Sequence, residues 1–451
     1  MVAAPIGQAI DPYANGRSGI DELAWLYGDG LVGWNDGPTP LLAELPAVSA
    51  DGREYRYRLR PAIWHDRSPV RASDVKAAWD LVKNTSWHYS LPYSAVNDVV
   101  AISERDLVVK LNVPLRGFAR SFFGPYGTPA LPVLRHTGES LPIGTGPFVL
   151  RRRSDPGRWA LERWQSSPRG TPRLDAIDLR VVPLDSTVAV QIESGEADLA
   201  YPLPSRERYP GLKRFDVHRR VTSIVFLIFN TEGALNTSSL RRAFAGALDL
   251  RRLQHTFDED LAGLFTAYTM TGWSDGAFRG SVTRSPSASR TIHDTARHRP
   301  LRVVYLSGNP RYETVANVLQ QDLGGETVVE QRRFPIAVLL APEGPLWKGA
   351  FDVAIVGLPY GDDPDLAPAW GCVNRAPHGA NISRWCDAAF ESALARHDVG
   401  AALRRMVDEL VCIPLGPARE DIGVDQRVQG FHAPPPLVPL TYGCTQWSLA
   451  H

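Results

Sequence analysis

The chain has 451 residues, enough for two or three ordinary domains, and 44% of them are hydrophobic, so large cores can form without cross-links. Lysine plus arginine and aspartate plus glutamate number 49 each, which excludes a strong net field that would attract nucleic acid or an anionic membrane. No run of residues approaches the roughly 18 consecutive apolar positions of a membrane-spanning helix.

The start of the chain leaves the cellular location open. The segment from Met1 to Pro5 has neither the basic region nor the apolar core of a secretory signal peptide. Either a signal segment is missing ahead of Met1, or the protein stays inside the cell.

Residues 53–84 predict a half-buried strand, a turn and an amphipathic helix. Tyr55, Tyr57 and Leu59 alternate with arginines, which is the period-two pattern of a strand with one apolar face. After a His-Asp turn, Ser73 is predicted to cap a helix. The apolar face of that helix is predicted to consist of Val75, Ala78, Trp79 and Val82.

The glycine-rich segment 144–148, Gly-Thr-Gly-Pro-Phe, has two interpretations. A loop of this kind can cradle a phosphate when a helix N-terminus follows it. Here Pro147 is followed by apolar residues that predict a strand, so we favour a structural turn.

The second half of the chain alternates strands with helical patterns. Apolar strands are predicted at 225–230, 301–306 and 352–358, and an amphipathic helix at 313–323. A further strand is predicted at 327–331, and the order of strand, helix and strands from 301 to 358 predicts a parallel α/β lobe. Residues 279–300 are polar and rich in serine and arginine, and we predict a loop or poorly ordered connection there.

The order of strand, His-Asp turn, proline and Ala-Ser-Asp-Val helix resembles the family 5 (cluster C) extracellular solute-binding proteins of ABC importers, the peptide- and dipeptide-binding group. Similar segments of that family correspond to IGQAIDP at 6–12, GTGPF at 144–148 and ESGEADLA at 193–200. The resemblance implies an α/β, two-lobed, periplasmic-binding-protein-like fold of type II. Lobe I would comprise 1–228 and 415–451, with an inserted subdomain at about 45–145, and lobe II would comprise 229–414.

The function implied by the resemblance is capture of a small amine-bearing solute, a peptide or an amino-acid derivative, for an ABC transporter permease. Such a protein is not an enzyme, needs no cofactor or metal, binds no nucleic acid, acts as a monomer, and works in the periplasm or at the cell surface. The alternatives are an intracellular sensor or biosynthetic protein with the same fold, or a binder of a sugar, an opine or a metal chelate.

The candidate ligand site follows the predicted strand 352–358, because ligands of open α/β sheets bind at the carboxyl ends of strands. The acidic segment that includes Asp362 could instead be a surface turn without a binding role, or it could bind calcium, although it lacks the EF-hand spacing. The resemblance favours solute recognition, since the family's W-x-x-D-Y-x-x-P loop uses an aspartate to hold an α-amino group and Asp362 is the matching position. The expected ligand contacts are Asp362, Asp363, Tyr360, Gly361, Trp370, Gln8 and Arg311.

The chain departs from the dipeptide-binding pattern in two places. The aromatic residue ahead of the aspartate is displaced, with Tyr360 in its region, and the arginine that precedes an Asn-Pro pair in the family is replaced by Leu306-Ser307-Gly308. Arg311 stands on the other side of that pair. A different amine-bearing solute is therefore also possible.

His65 and Asp66 could form a catalytic dyad, but the resemblance to the family turn favours a capping role for them. No GxSxG nucleophile motif and no HExxH metal motif occurs in the sequence.

The spacing of the four cysteines fits no common zinc or redox motif, so disulfides are favoured over buried thiols, with three pairings possible. The resemblance implies a pair between Cys372 and Cys386, which stands in the family's N-x-x-x-W-C segment. That leaves Cys412 with Cys444. Oxidised pairs would place the protein outside the cytoplasm.

Overall fold

The computed structural model describes most of the chain, with gaps. The described residues are 2–3, 10–15, 20–85, 92–115, 117–127, 130–138, 141–152, 157–181, 185–201, 203, 215–257, 284–341, 343–359, 366–377, 379–396, 398–435 and 437–450.

These residues form strands and helices in the following order. The strands are β1 (Val2–Ala3), β2 (Val32–Trp34), β3 (Pro38–Pro40), β4 (Ala47–Val48), β5 (Glu54–Arg58), β6 (Val96–Ala101), β7 (Asp106–Leu111), β8 (Phe148–Arg152), β9 (Arg158–Arg163), β10 (Ala176–Val181), β11 (Leu199–Tyr201), β12 (Phe215–Phe229), β13 (Leu301–Leu306), β14 (Val329–Phe334), β15 (Val353–Pro359), β16 (Cys412–Asp425), β17 (Val428–Gln429) and β18 (Ser448–Leu449). The helices are α1 (Pro12–Asn15), α2 (Ile20–Ala24), α3 (Ala72–Val82), α4 (Phe118–Ser121), α5 (Asp185–Glu193), α6 (Ser238–Ala247), α7 (Leu250–His255), α8 (Pro286–Ala296), α9 (Pro310–Leu323), α10 (Ile336–Leu339), α11 (Pro345–Lys348), α12 (Ala367–Trp370), α13 (Ala388–Ala395) and α14 (Val399–Glu409).

The chain divides into two compact units. The first comprises Met1–Arg220 and Arg419–His451, and the second comprises Val221–Ala418. The chain leaves the first unit within β12 and returns to it within β16. Each unit is therefore built from an α/β arrangement of its own.

In the first unit, β1 pairs in parallel with both β10 and β11, while β9 pairs antiparallel with β10 and with β8. A separate four-stranded sheet has the order β4-β5-β7-β6, and α3 contacts β6. Its strands are all antiparallel.

The structure confirms the strand, turn and helix expected at residues 53–84. Tyr55, Tyr57 and Leu59 are buried, and so are the apolar helix residues, Val75, Ala78, Trp79 and Val82. The predicted cap at Ser73 is wrong, because the helix begins at Ala72 and Arg71 is the capping residue. The carboxylate of Asp74, in the first turn of the helix, accepts a hydrogen bond from the Arg71 N–H at 2.8 Å. This bond gives a partner to a backbone donor at the helix start.

In the second unit, β13 lies between β14 and β15 and is parallel to both. β12 pairs antiparallel with β15, with Ser223 opposite Pro359 and Phe229 opposite Val353. The expectation of a parallel lobe is confirmed for β13, β14 and β15, and no direction was predicted for β12. An apolar run indicates a buried strand, but it does not encode the strand's direction.

The expected loop at 279–300 is wrong where the structure describes it, because residues 286–296 form α8. The Ser285 hydroxyl accepts a hydrogen bond from the Ala288 N–H at 3.2 Å, and Pro286 occupies the first turn. Ile292 and Ala296 are the buried residues of this helix. So narrow an apolar face explains why the composition indicated a loop.

Candidate functional site

The predicted site begins at the C-terminal end of β15. β13, β14 and β15 run in the same direction, so their carboxyl ends lie along one edge of the second unit's sheet. In the sequence, residues 360–365 come directly after β15. The predicted contacts Tyr360, Gly361, Asp362 and Asp363 lie outside the described residues, as does Gln8 of the first unit.

Close packing holds the C-terminal end of β15 in place. A Cβ atom at Gly357 would lie 2.7 Å from the Ser223 Oγ and 3.0 Å from the Tyr312 hydroxyl oxygen, so glycine is needed there. Tyr312, in the first turn of α9, is buried, and burial raises its pKa to about 12. Tyr312 therefore stays a neutral phenol that ties the start of α9 to β15.

Arg311 lies in the helix that follows β13, near the edge where the parallel strands end. It occupies the first turn of α9, which follows β13 after Asn309, and the Asn309 side chain accepts hydrogen bonds from the Arg311 and Tyr312 N–H groups. The Arg311 side chain is half-buried, and no described residue forms an ion pair with its guanidinium. One positive charge is thus available beside the end of the parallel strands.

Trp370 ends α12, the short helix that follows the acidic segment. It is 3% exposed, and its ring packs edge-on against Phe226 of β12 at a centroid distance of 6.5 Å. Because Phe226 pairs with Val356 of β15, this contact packs Trp370 against the same sheet.

Asn381 anchors the chain downstream of the acidic segment. Its side-chain amide donates hydrogen bonds to the carbonyl oxygens of Trp370 at 3.0 Å, Gly371 at 3.1 Å and Trp385 at 2.9 Å. Its oxygen accepts one from the Ser383 hydroxyl at 2.6 Å. Asn381 is fully buried, so these bonds are shielded from water.

The expected disulfide between Cys372 and Cys386 is confirmed and closes the same segment. The expected bond between Cys412 and Cys444 is wrong, because both are free, buried thiols. Cys412 begins β16 in the second unit, whereas Cys444 lies in a turn of the first unit, and burial raises the pKa of each.

Asp352 lies at the opposite end of β15 from the site. Its buried carboxylate accepts hydrogen bonds from Arg299 at 2.7 and 2.9 Å, from Arg302, and from the Ala234 N–H at 3.0 Å. Burial alone would raise its pKa, but these bonds hold the pKa well below its ordinary value. This carboxylate stabilises the sheet and is fully occupied.

His65 and Asp66 do not form a dyad. The His65 Nε2 lies 3.0 Å from the Gly146 carbonyl oxygen, and burial lowers its pKa. Asp66 instead accepts hydrogen bonds from Ser68 and pairs with Arg135. The pair is a turn, as expected.

The glycine-rich segment packs against the backbone of the first unit. A methyl group at Gly144 would overlap the Tyr27 carbonyl oxygen, and one at Gly146 would come within 2.6 Å of the Gly28 nitrogen. Thr145 donates a hydrogen bond to the buried Asp29 at 3.1 Å. Because the loop packs against other parts of the protein, these contacts support a structural turn over a phosphate-binding loop.

Asp29 also pairs with Arg169, and both side chains are almost completely buried. Their closest N to O distance is 2.6 Å, and the guanidinium donates further hydrogen bonds to the carbonyl oxygens of Trp25, Gly28 and Tyr442. The Arg169 guanidinium also lies 5.2 Å from the centroid of the Tyr442 ring. Sequence reasoning missed both this pair and Asn381, because their partners are backbone carbonyls that no motif specifies.

Metal-binding clusters and membrane-spanning helices are both absent from the described residues. Within the described ranges, no cluster of three or more histidine, cysteine, aspartate or glutamate side chains could hold a metal ion. Among the same residues, no helix is long and apolar enough to cross a membrane.

Comparison with known proteins agrees with this architecture. The chain is 27% identical over 228 residues to the glutathione-binding protein GsiB of Pectobacterium atrosepticum, a match that covers 45% of this chain and 44% of that protein. The chain thus spans less than half the length of the curated relatives it matches.

Two solved structures are similar along the whole chain. The binding protein AgaA from A. tumefaciens R10, in complex with agropinic acid, superposes with a TM-score of 0.77 at 16% identity and covers 100% of this chain and 98% of its own. DppA from Helicobacter pylori, in complex with the peptide STSA, superposes with a TM-score of 0.72 at 17% identity and covers 99% and 97%. These likenesses support the two-lobed periplasmic-binding-protein fold.

The family itself follows from the sequence match. Residues 37–325 match the family described as "Bacterial extracellular solute-binding proteins, family 5 Middle", and this range is more than half of the chain. The protein belongs to the family 5 bacterial extracellular solute-binding proteins.

Proposed function

We propose that the protein captures a small amine-bearing solute, a peptide or an amino-acid derivative, and delivers it to an ABC importer. The segment proposed to hold the solute, residues 360–365, belongs to the second unit. The observation that carries the proposal is the position of residues 360–365, an acidic segment that starts where the parallel strands of the second unit end.

The charges along that edge suit a zwitterionic solute. Asp362 would accept hydrogen bonds from the solute's ammonium group, with Asp363 beside it, while Arg311 offers a guanidinium to a carboxylate. Hydrogen bonds between charged partners are about twice as strong as neutral ones. A solute without the amine would leave a carboxylate unpaired and would bind far more weakly.

The supports on both sides of the segment favour a preorganised site. Gly357 and Tyr312 fix the residues before it, and Asn381, Trp370 and the disulfide fix the residues after it. Solute binding would then shift an equilibrium between open and closed lobes by its higher affinity for the closed state. The protein would act as a monomer, with no covalent chemistry, in the periplasm or at the cell surface, where a disulfide persists.

A matched ligand panel tests this proposal. We would measure binding of glutathione, the peptide Ser-Thr-Ser-Ala and agropinic acid by titration calorimetry, with N-acetylated forms of the first two as controls. The proposal predicts saturable binding of at least one amine-bearing probe and a loss of about tenfold to hundredfold when its amine is acetylated. Equal binding of the acetylated form would contradict an amine-selective site.

A further inference from the structure

The first unit carries an open groove that none of the predicted solute contacts lines. It has a volume of about 680 Å³, within the range of small-molecule sites, and all of its lining residues belong to the first unit. We propose that this groove binds a small amphipathic anion, a carboxylate that carries an apolar chain. The proposal goes beyond solute capture at residues 360–365 and does not depend on it.

The apolar part of the groove is rigid. One wall is the hairpin that leads into and out of the His65 turn, where the Val70 N–H donates a hydrogen bond to the Ala62 carbonyl at 3.0 Å and Ile63 pairs with Pro69. Pro61 and Pro168 also line the groove, and proline has a fixed φ. Such a surface loses little entropy when it receives an apolar chain.

Three arginines are among the residues that line the groove. Arg60, Arg71 and Arg105 line it together with a single carboxylate, Glu104. Backbone hydrogen bonds bring their segments together, since the Leu59 N–H donates to the Arg105 carbonyl at 2.7 Å and the Ala72 N–H donates to the Glu104 carbonyl at 2.8 Å. Three positive charges and one negative charge therefore meet where the chain segments join.

Arg105 is the best-positioned of these charges. Its Nε and Nη2 both donate hydrogen bonds to the Leu59 carbonyl oxygen, at 2.8 and 2.6 Å, so the guanidinium is held by backbone. No carboxylate in the described part of the chain pairs with it. A held guanidinium with spare donors matches the geometry of a carboxylate.

The other two arginines form only long, exposed ion pairs. Arg60 pairs with Glu44 at 3.4 Å and Arg71 with Glu104 at 3.6 Å, and about half or more of each side chain is exposed. Exposed pairs of this kind contribute little to stability, so an incoming anion can compete for either arginine. A groove lined by three arginines and by apolar and proline residues favours a ligand with an anionic head on an apolar chain.

The test uses decanoate as the probe on the full chain, with decylamine and decanol as probes that change only the head group. We expect saturable decanoate binding by calorimetry, and weaker binding of both controls. Arg105→Gln should weaken decanoate binding by about tenfold to hundredfold. Arg56→Gln is the matched control, because Arg56 is 67% exposed on β5 and lies outside the groove lining.

The outcomes separate the possible occupants. Equal binding of decylamine and decanoate, or an unchanged decanoate affinity in Arg105→Gln, would overturn the proposal. No saturable decanoate binding, with binding instead of an acidic proline-rich peptide, would overturn it too and would make the groove a protein-docking surface. Melting temperatures of both variants show whether each is folded, and glutathione titration of the same samples reports on residues 360–365 separately.

Discussion

The surroundings of Thr145 in the first unit and the C-terminal end of β15 in the second use polar residues differently. Around Thr145, the carboxylate of Asp29 and the guanidinium of Arg169 are buried and satisfy each other and nearby carbonyls. At the C-terminal end of the parallel strands, Arg311 is half-buried and forms no ion pair with a described residue. The Asn381 side chain in the same unit donates its hydrogen bonds to backbone carbonyls. The region with the strong motif is therefore scaffold, and the proposed solute site lies in the region with the weaker motif.

The largest expected effect comes from removing a buried charge near Thr145. Arg169→Met should lower the free energy of unfolding by about 3 to 5 kcal/mol, because it leaves the Asp29 carboxylate buried without its partner. Urea unfolding measures the change, with the exposed Arg56→Met as control. Solute affinity of the folded fraction should stay at the wild-type value, and a selective loss of affinity would contradict the scaffold assignment.

Asp352, next to the N-terminal end of β15, allows a test by pH in the same part of the sheet. Asp352 has a folded-state pKa well below the roughly 3.9 of an unfolded aspartate, so the unfolded chain binds the proton more readily. Its stabilising contribution is present above about pH 4 and is lost as the pH falls toward the folded-state pKa. Unfolding followed between pH 6 and pH 3 should show this loss in the wild type and a reduced slope in Asp352→Asn.

A smaller effect on stability is expected at the anchor of the acidic segment. Asn381→Ala removes three hydrogen bonds to carbonyl groups and should cost about 1 to 3 kcal/mol. Asn374→Ala is the graded control, because Asn374 donates a single such bond, to Ala367. Unlike the Arg169 variant, the Asn381 variant should also weaken solute binding, since residues 360–365 lose their downstream support. Unchanged affinity in a folded Asn381→Ala protein would argue that the segment needs no such support.

Local patterns predicted much of this fold. The alternation at Tyr55, Tyr57 and Leu59 specified a one-sided strand, and the apolar runs that became β13 and β15 located the second unit's sheet. Patterns of this kind report which side chains are buried, a property that each segment carries by itself.

The features that escaped prediction depend on distant partners. The antiparallel direction of β12 is visible only in its pairing with β15, and α8 has too narrow an apolar face to stand out. The thiols of Cys412 and Cys444 showed that an even number of cysteines does not imply complete pairing. Asn381 could have been suspected from its place before Trp385 and Cys386, but its three carbonyl partners are visible only in the folded chain.

The most direct test of solute recognition compares two aspartates of the acidic segment. With the tightest amine-bearing ligand of the panel, titration calorimetry would be carried out on wild type, Asp362→Asn and Asp365→Asn. The proposed function predicts that Asp362→Asn weakens binding by about tenfold to hundredfold, while Asp365→Asn stays near the wild-type value. Wild-type affinity in a folded Asp362→Asn protein would contradict the assignment of this carboxylate as the anchor for the solute's amine.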